Sequence, residues 1–78
     1  MPKKDQPPDP SLAAVLRRLR AQRGESRETL AYRAGLTSGS LASIELGRSS
    51  PSWATLRAIA AALEVSLVDL AAQVERES

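Results

Sequence analysis

The sequence predicts an all-α fold, a compact bundle of five short helices around one small core. Three observations carry this. Apolar residues recur at i, i+3, i+4 and i+7 in Leu12/Val15/Leu16/Leu19, Leu56/Ile59/Ala60/Leu63 and Leu67/Leu70/Ala71/Val74. Each predicted helix follows a Ser or Thr placed to cap it, and glycines stand at the predicted ends of the first three. No stretch alternates apolar and polar residues with the period of two that a strand requires, and no repeat occurs. With 78 residues the chain holds one small domain. A domain of this size buries only roughly 60–65% of its unfolded surface, so dimerisation is expected.

Residues 1–10, MPKKDQPPDP, hold four prolines and no apolar pattern, and read as a disordered arm ahead of a domain at residues 11–76. The first helix is predicted over Leu12–Arg23, with Ser11 as N-cap and Gly24 as the stop. Its other face carries Arg17, Arg18, Gln22 and Arg23. Ser26 caps the second helix, Arg27–Ala34, where Glu28 suits the positive end of the helix dipole. Leu30, Ala31 and Ala34 form its inner stripe, and the alanines admit close approach of the next helix. Gly35 supplies a left-handed turn and Thr37 caps the third helix, Ser38–Leu46, with Leu41 and Ile44 facing inward. Gly47 stops that helix and Pro51 forbids its continuation. Two short helices joined by a tight glycine-containing turn form a helix-turn-helix. After the loop GRSSPS, Ser52 caps the fourth helix, Trp53–Leu63. Trp53, in its first turn, reads as core, with a dimer anchor as the second reading. Val65 lies in the next turn, and Ser66 caps the fifth helix, Leu67–Glu75, with Asp69 placed as in a capping box.

Composition narrows the function. There is no Cys and no His, which removes disulfides, Cys/His metal sites, thiol nucleophiles and imidazole bases. No glycine-rich phosphate loop occurs and no carboxylate pair is forced into a cleft, so neither an enzyme nor a cofactor or metal is expected. No apolar run approaches the roughly 20 residues that span a bilayer, and the polar, proline-rich start is no signal peptide. A cytoplasmic protein without a membrane partner is expected. Charge is uneven: residues 11–50 carry seven Arg against three Glu, whereas residues 51–78 carry two Arg against four acidic residues. A basic first part and an acidic last part suit a polyanion-facing surface with the opposite face turned away.

The chain resembles the Cro/CI-type, or XRE-like, helix-turn-helix family of bacterial and phage DNA-binding proteins. The likeness covers about Leu16 to Leu70. It rests on Leu16-Arg17, Leu19-Arg20, Ser26-Arg27-Glu28, Leu30-Ala31, Ala34-Gly35-Leu36 and Leu41. It continues through the run from Ile44 to Pro51, IELGRSSP, then Leu56, Ala60, Leu63 and Val65-Ser66-Leu67. The resemblance implies a lambda-repressor-like DNA-binding domain, with the third helix in the major groove of double-stranded DNA and the second across the backbone. It implies that Arg27, where relatives usually have Gln, reaches phosphate or an outer base. Thr37, Ser38, Gly39 and Ser43 stand at the exposed recognition positions, and Ser40 and Arg48 where backbone contacts are expected. Arg20 and Glu45 match a structural ion pair between the first and third helices. A homodimer on a palindromic operator is implied, formed around the fourth and fifth helices. Val68, which falls off the fifth helix's stripe, and Val74 are its candidate contacts beside Trp53.

The recognition helix lacks the forked side chains, Arg, Gln or Asn, that usually read base edges. Two explanations follow. Short side chains let the helix sit close, with specificity from Arg27, a thymine methyl and DNA shape; or the surface serves a protein partner, as in an interaction module or an antitoxin-like protein. Tyr32 and Leu46 are expected to be exposed apolar residues, available to either. Small proteins of this kind resemble restriction–modification controllers and antitoxins, between which the residues do not choose.

Overall fold

The computed structural model describes residues 8–78, which form five α-helices and no strand. α1 spans Pro10–Gln22, α2 Arg27–Ala34, α3 Ser38–Glu45, α4 Trp53–Leu63 and α5 Leu67–Glu77. Most of the predicted arm, with Lys3 and Lys4, lies outside the described residues.

Local chemistry sets the boundaries. Ser26, Thr37, Ser52 and Ser66 each accept a hydrogen bond from the backbone N–H three residues on, at 3.0–3.1 Å. α1 starts two residues before the predicted Leu12, and its N-cap is Asp9 rather than Ser11. The Asp9 carboxylate accepts from the Ser11 N–H at 2.9 Å. Pro10 enters the first turn, where an absent N–H leaves no bond unmade. α3 ends one residue early, with Leu46 as its C-cap, and α5 runs two residues past the predicted Glu75. α4 closes on Glu64 in the left-handed region, at φ 60°.

Each helix contributes at least one fully buried branched side chain to the centre: Val15 and Leu16 from α1, then Leu30, Leu41, Ile59 and Leu70. Burial of each is worth about 1.5–3 kcal/mol. Ala31 of α2 and Ala60 of α4 are buried as well. α2 packs on α3 and α4, and α1 packs on α3 and α5.

Trp53 is a correction: it is 65% exposed, not core. It is the first residue of α4, one turn before Leu56. An apolar hollow remains beside it. Tyr32 and Leu46 are exposed, as expected.

Candidate nucleic-acid interface

The turn between α2 and α3 fixes the site. Gly35 adopts φ +75°, its N–H donating to the Tyr32 carbonyl at 3.1 Å and the Leu36 N–H donating to the Ala31 carbonyl at 2.8 Å. This paired pattern ends α2 in a left-handed turn, a conformation that costs a side chain roughly 1–2 kcal/mol. Two residues later Thr37 starts α3. Leu41 and Ile44 anchor α3 in the core, so its first turn faces outward: Thr37, Ser38, Gly39 and Ser40 are exposed.

Beside that turn lies an open depression of about 560 Å³. Thr37, Ser40 and Ser43 line it from α3, Ser49 and Ser50 from the loop, and Ser52 and Thr55 from the start of α4. No carboxylate lines it. The N-caps of both α3 and α4 stand on its wall, so the positive ends of two helix dipoles meet there. The loop is tied to α3 by Arg48 and Ser49, whose N–H groups donate to the Ser43 carbonyl at 2.9 and 3.3 Å. Such a surface offers hydroxyls and backbone N–H groups to an anion or to the edge of a base.

A charged cluster braces the far end of α3. Glu45 is fully buried. Arg20 grips it with a fork, Nε to Oε2 at 2.8 Å and Nη2 to Oε1 at 3.0 Å. The Arg27 Nε donates to Oε1 at 3.1 Å, and the Arg17 guanidinium donates to the Glu45 backbone carbonyl. The hydrogen bonds that Arg20 donates to the Glu45 carboxylate hold its guanidinium above the ordinary arginine range, against the opposing effect of burial.

The structure revises the charge distribution. Of the arginines in residues 11–50, Arg18 pairs with Glu77 at 2.8 Å, Arg33 with Glu25 at 2.7 Å, and Arg23 with Glu25 and Glu64 at 3.4 and 3.5 Å. Two carboxylates of the acidic last part, Glu64 and Glu77, therefore reach back to arginines of the basic first part. Among the described residues, Arg48 alone of these arginines makes no side-chain bond.

The predicted recognition residues Thr37, Ser38, Gly39 and Ser40 share the exposed turn of α3, and Ser43 lies half-buried along the depression. Arg27, at the start of α2, is bound to Glu45. The spacing did not reveal Ser49, Ser50, Ser52 and Thr55 as site walls. Their signal was the run of hydroxyl residues on both sides of Pro51. Of the predicted dimer contacts, Trp53 and Val74 line the second, apolar hollow of about 270 Å³ with Leu12, Leu56 and Leu67. Val68, 78% exposed, stands outside it. Among the described residues, no group of acidic side chains is placed to hold a metal ion, and no helix is long and apolar enough to cross a membrane.

Residues 11–73 match the family described as helix-turn-helix domain. No curated protein matches the chain. Among solved structures, the chain is similar to the clp gene regulator ClgR from Corynebacterium glutamicum, with 29% identity and a TM-score of 0.83, covering 95% of this chain and 97% of that one. It is similar to the wild-type restriction–modification controller protein C.Esp1396I, with 26% identity and a TM-score of 0.82, over 87% of each chain. The controller protein C.AhdI from Aeromonas hydrophila is 31% identical with a TM-score of 0.76, covering 78% of this chain and 92% of that one.

Proposed function

Because the chain belongs to the Cro/CI-type, or XRE-like, helix-turn-helix family, we propose that it is a sequence-specific DNA-binding transcription regulator, with α3 as its major-groove helix. The observation that carries this is the carboxylate-free, hydroxyl-lined face onto which the N-termini of α3 and α4 open. Thr37, Ser38, Gly39 and Ser43 meet base edges there, while Ser40, Arg27 and Arg48 hold the backbone. The likeness to a gene regulator and to restriction–modification controllers supports a role in regulating genes rather than in packaging DNA. The working form is a homodimer joined through the apolar hollow of Trp53 and Val74, with Val68 beside it. It reads a palindrome whose half-sites lie about 34–36 Å apart.

Selection of bound duplexes from a random library tests this. Enrichment of an inverted repeat with half-sites one helical turn apart is expected; a library left unenriched after several rounds contradicts sequence-specific binding. The absence of forked side chains on α3 favours a second reading, a protein-interaction module on the same fold. That reading predicts an unenriched library and a protein partner that protects the α3 face from amide exchange.

A further inference from the structure

The Glu45 cluster is built unequally. Arg20 supplies two bonds and satisfies one lone pair on each carboxylate oxygen, at 2.8 and 3.0 Å. Arg27 adds only a third, at 3.1 Å. If Arg27 leaves, both oxygens of the buried carboxylate keep a charged partner; if Arg20 leaves, Oε2 keeps none. Arg27 is also the more exposed of the two, with 33% of its side chain accessible against 18% for Arg20. Two guanidinium groups share the one buried carboxylate, and the more accessible of them is Arg27. Arg27 moreover occupies the first position of α2, at the positive end of the dipole, where a cation is disfavoured and a phosphate is favoured.

We propose that Arg27 is a latched phosphate ligand: Glu45 parks its guanidinium in the free protein and releases it to a DNA phosphate on docking, while Arg20 keeps the carboxylate satisfied. Glu45 is then a positioning residue for DNA binding as well as a structural one. A phosphate arriving at the start of α2 meets both the dipole and the freed cation, and the cluster loses no buried bond that it cannot spare. The cost is one charge-assisted bond, exchanged for another of the same kind. This rests on the DNA-binding reading above.

Arginine Nε–Hε correlation spectra of the labelled full chain test the handover, with a random-sequence duplex at low salt as the probe and fluorescence anisotropy reporting the complex. The Arg27 signal, identified by its loss in Arg27→Gln, is expected to move on saturation while the Arg20 signal stays in place. An Arg27 signal that does not move in a complex seen by anisotropy overturns the latch and leaves DNA binding intact. Failure of the duplex to bind overturns both. Arg27→Gln is expected to make the log–log salt dependence of binding shallower by about 0.9 per protomer, about 1.8 for a dimer, and Arg27→Lys to restore it. A lowered melting temperature with an unchanged salt slope would mean that Arg27 only braces the fold.

Discussion

Glu45 shows how one side chain serves two ends of a small protein. It is a carboxylate with no solvent contact, held by arginines from α1 and α2, at the last position of the helix assigned to DNA. Glu45→Ala strips Arg20 and Arg27 of their shared partner and opens a void between helices. The expected loss is about 2–4 kcal/mol, a fall in melting temperature of at least about 10 °C in a chain this short. A thermal melt followed by circular dichroism measures it, and a fall of a degree or two contradicts a structural pair. Arg48→Ala acts differently, because Arg48 is exposed and unpaired among the described residues. It is expected to weaken binding to all duplexes alike and to reduce the salt slope by about 0.9 per protomer, about 1.8 for a dimer, without changing the melt. The Arg20–Glu45 pairing was legible from the family pattern. The third partner was not: Arg27 is a cation where relatives usually carry Gln, and its reach to a carboxylate 18 residues away exists only once α2 and α3 are folded together.

At the scale of the helix, boundaries follow from chemistry within four residues, which is why Ser26, Thr37, Ser52 and Ser66 marked four helix starts so closely. The fifth start was hidden because Asp9 precedes a proline that reads as a breaker yet serves as the first helical residue. The end of α4 carried no mark either, since a glutamate rarely takes the left-handed conformation that Glu64 adopts. Glu64→Gly should relieve that strain at the cost of a long, exposed contact with Arg23, for a gain of about 0.5–1 kcal/mol by denaturant unfolding. A loss would show that tertiary contacts hold the turn whatever its residue. Gly39 offers a sharper test of α3. A Cβ there would meet nothing closer than the Thr37 hydroxyl, at 4.0 Å. Gly39→Ala is therefore expected to stabilise the fold by about 0.5–1 kcal/mol. It should nonetheless weaken operator binding, because the methyl group stands where the helix approaches base edges. A variant that is both more stable and a tighter binder would move Gly39 out of the interface.

Across the whole molecule, buried branched residues from all five helices make a core adequate for a fold but leave Trp53 outside it, beside an apolar hollow. Its place in the first turn of α4 read as core, and position in the sequence could not show that this turn stays exposed. As the single tryptophan, it reports its own burial. Its emission should shift to the blue as concentration rises and the dimer forms, and sedimentation of Trp53→Ala should show monomer at concentrations where the parent chain is paired. Charge is also a property of the whole. Most arginines of residues 11–50 are bound within the fold, so of these the cations for phosphate are Arg48 and, once released from Glu45, Arg27. A dimer then carries a modest salt slope, about −3 to −4, and specificity depends on close fit rather than on charge. The measurement that bears most directly on this account is fluorescence anisotropy, across a salt series, on the promoter DNA upstream of the protein's own gene and on a random-sequence duplex of equal length. The account predicts promoter binding at least about 10³-fold tighter than random binding, with that negative slope. Equal affinity for the two duplexes, or binding to neither at low salt, would contradict it.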